Sequence, residues 1–239
     1  MTDQRQRVVV LGGTSGLGFA VADLLSARGA EVVVVSSRQA SVDRALAKLP
    51  AGTEGSVADL RDEAAIEAVF DRIGPFDHLV YTAGEPLRLL TVKDMPLDQA
   101  QEFFGLRFFS ALTAVKHAVP RIRAGGSITL TTGSAGERPS AGWSVAASIC
   151  GAVSALTKAL AIELAPVRVN AVAPGVTRSP LWAGLGEDAQ DAYFRQVGEA
   201  MLVGRVGETD EIARAYAYLI DQPFSTGTIL GVDGGALLV

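Results

Sequence analysis

The sequence holds one cysteine, Cys150, and two histidines, His78 and His117, in 239 residues. An internal disulfide is therefore excluded, and the Cys/His clusters that hold zinc are missing, so no metal is expected. Positive charge is also in deficit. Lys and Arg number 21 against 26 Asp and Glu, a formal net charge of −5, which repels a phosphate backbone and argues against nucleic acid as a partner. No linker rich in Pro, Gly or Ser is long enough to divide the chain, and no repeat or low-complexity tract occurs. Polar residues 1–7 run straight into Val8-Val9-Val10-Leu11, without the profile of a signal peptide, and no apolar run is read as membrane-spanning. These absences set the expectation of one domain over residues 1–239, cytoplasmic, with neither membrane nor metal. What is present is an apolar content of 49%, enough at this length to build a sizeable core without staples.

Short β-branched runs alternate with longer helical stretches, the pattern of repeated βα units around a parallel sheet. Strands are predicted at Val8–Leu11, Glu31–Ser36, His78–Thr82, Ser127–Thr132, Val167–Ala173 and Thr228–Val232. Helices are predicted over Leu17–Arg28, Asp62–Ile73, Leu97–Arg123, Trp143–Leu164 and Glu208–Ile220. Four consecutive valines in Glu31–Ser36 suit a strand covered on both faces. Loops at the carboxyl ends of strands surround the ligand crevice of such sheets, which makes the Pro/Gly-punctuated residues 176–207 the candidate substrate lid. Leu181, Trp182, Leu185, Phe194 and Met201 there suggest an apolar wall for a small-molecule substrate.

Gly12-Gly13-Thr14-Ser15-Gly16-Leu17-Gly18 follows the first strand and opens directly into a helix. Glycines permit a tight turn and close backbone approach to a pyrophosphate, and the helix N-terminus attracts its charge. A structural turn is the alternative; the placement between strand and helix favours nucleotide binding. The second strand ends in Ser36-Ser37-Arg38. An acidic residue there would bind the ribose hydroxyls and repel a 2′-phosphate, whereas Ser37 and Arg38 offer donors to that phosphate. NADP(H) is the cofactor expected. Arg38 as a solvated surface charge is the alternative.

These residues, with several later ones, resemble the short-chain dehydrogenase/reductase family. Gly12, Gly16 and Gly18 match its glycine pattern, Asp59-Leu60 resembles its adenine-contacting pair, and Thr82-Ala83-Gly84 looks like the end of its Asn-Asn-Ala-Gly motif. Arg168 to Gly175 is similar to the segment beside the nicotinamide, with Pro174, Gly175, Val176 and Ser179 implied at the cofactor, and Gly227 to Gly235 is similar to the closing strand. The resemblance implies an α/β fold, a Rossmann-type doubly wound parallel sheet of about seven strands with helices on both faces, and a homo-oligomer, tetramer or dimer. It also implies an oxidoreductase acting on a carbonyl or alcohol.

The family's catalytic Asn, Ser, Tyr and Lys are another matter. Registering Gly151-Ala152-Val153-Ser154-Ala155-Leu156-Thr157 on the family helix places Ala146 at the Tyr and Cys150 at the Lys. Gly133 falls at the Ser and Arg107 at the Asn. Lys158 lies about 12 Å along the helix from Cys150 and is no substitute. Ser134 and Ser144 can offer hydroxyls to a carbonyl oxygen, and Tyr193 in the lid can offer a phenol on closure. Arg107 can stabilise an oxyanion or hold a carboxylate, with a structural ion pair as its alternative. Cys150 reads as a small buried filler. Three functional readings stay open: an NADP(H)-dependent oxidoreductase without the usual Tyr/Lys pair, a cofactor-binding protein without turnover, and a non-redox isomerase, lyase or cyclase. Small residues Ala146, Ala147, Ala155 and Ala159 are expected on the helix face that meets a second subunit.

Overall fold

A computed structural model describes residues 5–239. Seven parallel strands form one sheet in the order β3-β2-β1-β4-β5-β6-β9: Arg7–Leu11 (β1), Glu31–Ser36 (β2), Glu54–Val57 (β3), Phe76–Tyr81 (β4), Ile122–Thr131 (β5), Arg168–Pro174 (β6) and Ile229–Val232 (β9). Thr177–Arg178 (β7) and Gly207–Glu208 (β8) pair separately, tying together the two ends of residues 176–207, the expected lid. The helices are Gly16–Ala27 (α1), Gln39–Leu46 (α2), Glu63–Ile73 (α3), Leu97–Phe104 (α4), Ser110–Ala118 (α5), Ser144–Glu163 (α6), Glu187–Ala200 (α7) and Thr209–Asp221 (α8).

The valine runs have the physical reason expected of them. Side chains alternate along a strand, so Val8, Val10, Val32 and Val34 enter one core layer with Val21, Leu25, Ile212 and Tyr216. Val9, Leu11, Val33 and Val35 enter the opposite layer with Ile66, Phe70 and Val115. Val8–Leu11 and Val32–Val35 are buried on both faces, as an all-apolar run requires. Caps set the helix starts: the Asp62 carboxylate accepts from the Ala64 N–H at 3.0 Å, and Glu208 and Glu211 form a reciprocal capping box for α8. The strand order reverses at β1, between β2 and β4, so the crevice opens at the carboxyl ends of these strands.

Two expectations need correction. The helix expected over Leu97–Arg123 is broken by a π turn at Gly105–Phe109 and by a 3-10 turn at Val119–Arg121 around Pro120, and β5 begins at Ile122. The π turn opens where the buried Tyr81 hydroxyl donates to the Leu106 carbonyl at 2.5 Å. Residues 176–207, the expected lid, hold α7. Helix α6 is long and apolar enough to cross a membrane by length and composition. In the fold its Ile149, Val153, Thr157 and Leu160 face the core, Val145 and Leu156 pack against it, Ile162 is exposed, and the other apolar positions are mostly small residues. Of those, Ala155 and Ala159 are exposed, but Ala146 faces the crevice.

Candidate active site

The loops after β1, β2, β4, β5 and β6 enclose a cleft of about 430 Å³. At one end lies the glycine turn. Gly12 has φ +85°, and a Cβ there would stand 2.6 Å from the Ala83 nitrogen, so the turn closes against the end of β4 only as glycine. A Cβ on Gly18 would stand 2.3 Å from both the Gly12 carbonyl oxygen and Thr82 Oγ1, which lets α1 seat directly on the turn. The N-terminus of α1 has no side-chain cap and no acidic residue in its first turn. Its free N–H groups and positive dipole end therefore face the cleft as an anion cradle.

The sequence-predicted cofactor residues divide by position. Gly12, Ser15, Gly16, Leu17, Arg38, Thr82, Ala83, Gly84, Pro174, Gly175, Val176 and Ser179 line the cleft. Thr14, Gly18, Ser37 and Asp59 lie outside its lining; Ser37 and Asp59 are exposed, and Leu60 is buried in the core beside them. Arg38 is exposed, and among the described residues its guanidinium has no hydrogen-bond or ion-pair partner.

Arg107, Gly133, Ala146 and Cys150, the positions expected to depart from the family pattern, all line the cleft. Arg107 rides on the π turn with its guanidinium over the Cα of Gly84, where a Cβ would stand 2.8 Å from Cζ and Nη1. Nη2 donates to the Glu85 carbonyl oxygen. Nε lies 3.2 Å from Glu85 Oε2 without hydrogen-bond alignment, which leaves both atoms buried and unsatisfied among the described residues. The Phe103 ring covers the group at 5.8 Å. Burial pushes the Arg107 guanidinium below its ordinary value, the Glu85 carboxylate opposing, and it remains a cation. Nη1 has no partner among the described residues and is not buried, so it is the donor that Arg107 presents to the cleft.

Proton donors are scarce around it. Burial raises the Cys150 thiol, the Arg107 charge and the Thr132 hydroxyl opposing, so it is a neutral thiol. Tyr81 is raised by burial and committed to Leu106. Thr82, Thr131, Thr132 and Thr177 each donate to a backbone carbonyl, of Leu11, Tyr81, Cys150 and Gly175 respectively. Ser134 lines the cleft, whereas Ser144 is exposed outside it. Tyr193 is also outside: α7 turns it onto Trp182, ring centroids 4.8 Å apart, in an aromatic cluster with Phe194 and Trp143. Of the expected apolar wall, Leu181 and Trp182 face the cleft and Leu185, Phe194 and Met201 do not.

Glu85 escaped the sequence reading. It follows Thr82-Ala83-Gly84 directly, so an acid at the carboxyl end of β4 was the available signal. Its pairing with Arg107, 22 residues on, and with Arg61 at 3.5 Å is not local in sequence.

Known proteins place this arrangement. The chain is 37% identical over 253 residues to the short-chain dehydrogenase/reductase ATR9 of Stachybotrys chlorohalonatus, with 99% of each covered. Among solved structures it is similar to a small-chain dehydrogenase in complex with NADPH, 36% identical, TM-score 0.86, covering 99% of this chain and 100% of that one. It is also similar to the MalC Reductase/Diels-Alderase of Malbranchea aurantiaca, 27% identical, TM-score 0.91, covering 98% of this chain and 97% of that one. An SDR-like Rossmann domain description matches residues 3–239. With that match, the seven-stranded parallel sheet and the glycine turn at its switch point, the chain belongs to the short-chain dehydrogenase/reductase family.

Proposed function

We propose that the protein is an NADP(H)-dependent oxidoreductase acting on a carbonyl or alcohol of an apolar small molecule. On this reading it is one dinucleotide-binding domain over residues 1–239, with residues 176–207 as substrate lid. The observation that carries the reading is a single cleft with an anion cradle and an unpaired Arg38 at one end and the part-buried cation of Arg107 at the other. In this assignment Gly12, Thr14, Ser15, Gly16 and the start of α1 hold the pyrophosphate. Ser37 and Arg38 hold the 2′-phosphate, and Asp59-Leu60 flanks the adenine. Thr82-Ala83-Gly84 and Pro174, Gly175, Val176 and Ser179 hold the nicotinamide end. The NADPH in a structure 36% identical to this chain supports the cofactor. When bound, the reduced nicotinamide supplies hydride. The chain itself supplies charge stabilisation through Arg107, an apolar wall through Trp143, Leu181 and Trp182, and the Ser134 hydroxyl beside the bare Gly133. We propose a cytoplasmic homo-oligomer, with the exposed Phe109, Leu112 and Ile162 of the α5 and α6 region as its contact face.

Titration of NADPH and NADH by nicotinamide fluorescence tests the assignment. Arg38→Ala removes charge-assisted hydrogen bonds of about 1.5 to 3 kcal/mol, so NADPH binding weakens about 10- to 100-fold while NADH changes little. Equal loss for both dinucleotides rejects the 2′-phosphate site. A second reading, a cyclase-type reaction in the same cleft, is favoured by one observation: the likeness, at TM-score 0.91, to a protein described as both reductase and Diels-Alderase. Product analysis with and without oxidised or reduced dinucleotide separates the two.

A further inference from the structure

Resting on the oxidoreductase reading, the substrate class follows from what the cleft can do with negative charge. Hydride addition to an isolated ketone leaves an alkoxide, a strong base that forms only if a proton arrives with it. The groups lining this cleft are poorly placed to deliver one. Four threonine hydroxyls and the Tyr81 hydroxyl are spent on backbone carbonyls. Cys150 is a raised thiol, and Glu85 is ion-paired to Arg107 and Arg61. The Ser15, Ser134 and Ser179 hydroxyls also line the cleft, and none of them makes a side-chain hydrogen bond among the described residues that would join it to a base or cation in a relay.

Apart from the α1 cradle and Arg38, which are assigned to the dinucleotide, the cleft contains a further preorganised donor for a persistent anion. Arg107 is gripped by the Glu85 carbonyl and carboxylate on one side and covered by Phe103 on another, and its Nη1 is left for a ligand. Such a fixed, largely desolvated cation stabilises an oxyanion without reorganising, but gives up no proton at neutral pH.

We infer that the substrate is a conjugated carbonyl compound, reduced at its carbon–carbon double bond, with Arg107 Nη1 as the oxyanion donor. Hydride from the reduced nicotinamide bonds to the β-carbon, and the double-bond pair shifts to form the enolate, its charge shared between oxygen and α-carbon. The dinucleotide leaves oxidised. Water protonates the α-carbon afterwards, giving the saturated ketone; no side-chain acid is required at any stage. Trp143, Leu181 and Trp182 supply the apolar wall for the conjugated, planar part of such a molecule.

Two measurements test this. The first needs no dinucleotide: para-nitrophenol, an enolate mimic whose absorbance reports ionisation, is titrated with the protein. Bound next to Arg107, its pKa falls by about 1 to 2 units, the worth of one charge-assisted hydrogen bond. Arg107→Gln abolishes the shift, while Arg107→Lys, which keeps the charge without the fork, retains part of it. Unchanged circular dichroism certifies both variants as folded. The second uses NADPH deuterated at the transferable position, with benzylideneacetone and its saturated counterpart benzylacetone. Deuterium at the β-carbon of the former and none in the latter is expected. Deuterium on a carbonyl carbon, deuterium in neither compound with NADPH bound, or no shift of the phenol overturns the assignment. Failure of NADPH to bind would sink the dinucleotide reading instead, and is seen separately by fluorescence.

Discussion

Replacing Gly84 with alanine should disable Arg107 without touching it. A Cβ at position 84 would stand 2.8 Å from Cζ and Nη1 of Arg107 and 2.9 Å from Nη2, against ordinary contacts that begin near 3.4 Å. The guanidinium must retreat by about 0.6 Å at least. Glu85 holds it from the other side, so it retreats by rotating and gives up alignment of one charged hydrogen bond. Bonds of that kind are worth about 1.5 to 3 kcal/mol, and partial loss costs about 1 kcal/mol in stability, or roughly 2 to 4 °C in Tm at this length. Gly84 does not occupy the left-handed region, so no backbone strain is added. Gly18→Ala makes the contrast: its Cβ meets the Gly12 carbonyl oxygen at 2.3 Å, backbone that cannot swing aside, and overpacking of that kind costs about 1 to 3 kcal/mol or more.

The assay is ionisation of bound para-nitrophenol in wild type, Gly84→Ala, Arg107→Gln and the double variant. Gly84→Ala should cut the pKa depression by about 1 unit, and adding it to Arg107→Gln should change nothing further, because both act through one group. Additive effects, or a Gly84→Ala variant with the full wild-type shift, would refute the packing argument.

His78 is buried with Nδ1 2.8 Å from Ser127 Oγ, and burial holds it down to about 4, the Asp77 charge opposing. As pH falls through its ordinary 6.5 the unfolded chain takes up this proton first. Stability from His78 is therefore complete above about pH 6.5 and falls by about 3 kcal/mol on reaching pH 4. Urea unfolding of wild type and His78→Gln across this range should show the slope in wild type only; parallel curves would contradict it. Arg178 clasps the lid, pairing with Asp191 at 3.2 Å and Glu208 at 3.4 Å and lying 4.7 Å over the Phe194 ring. These contacts are partly exposed and together worth about 1 kcal/mol, so Arg178→Ala should speed limited proteolysis of residues 183–201 about fivefold with little change in Tm. Equal cleavage rates would show that the clasp does not hold the lid. Ala146→Tyr with Cys150→Lys should give little reduction of benzylacetone, and adding Arg107→Asn should raise it about tenfold or more. Equal rates for the double and triple variants would reject the charge conflict argued below.

What the sequence made legible was what depends on neighbours in the chain. The glycine turn, Arg38 at the end of β2 and the doubly buried valine strands are set by adjacent residues and a strict period of two. Strand β3, Glu54-Gly55-Ser56-Val57, carries one large apolar residue and lies at the sheet edge, so it sends no burial signal. Helix α2 has only eight residues. Tyr193 was legible as an aromatic near the site but not as pointing away from it. Its direction is set by α7, a helix not among those read from the sequence. The grip of Glu85 on Arg107 and the shelf of Gly84 beneath it belong to tertiary approach between the end of β4 and a π turn, and a register of motifs carries no such distance.

On the register proposed for this site, Arg107, Gly133, Ala146 and Cys150 act as one packing and charge solution rather than as four independent losses. The Cys150 side chain lies within the field of Arg107. A lysine there would bring a second cation into the field of the first, in a partly buried space where like charges repel more strongly than in water. Arginine at 107 and lysine at 150 are therefore alternatives. Once a thiol takes position 150, the loop after β5 closes onto it: a Cβ on Gly133 would stand 3.2 Å from Sγ, and one on Gly136 would stand 3.1 Å from the Cys150 Cβ. A serine at 133 is thus opposed by the same contact that accommodates Cys150. Ala146, without a phenol to ionise, has no use for a neighbouring ammonium and leaves an apolar floor. The surviving charge has moved from helix α6 to the π turn, where Glu85 fixes it. A fixed guanidinium stabilises anions and cannot protonate them, and that exchange of proton transfer for charge stabilisation selects substrates whose hydride adduct is stable as an anion.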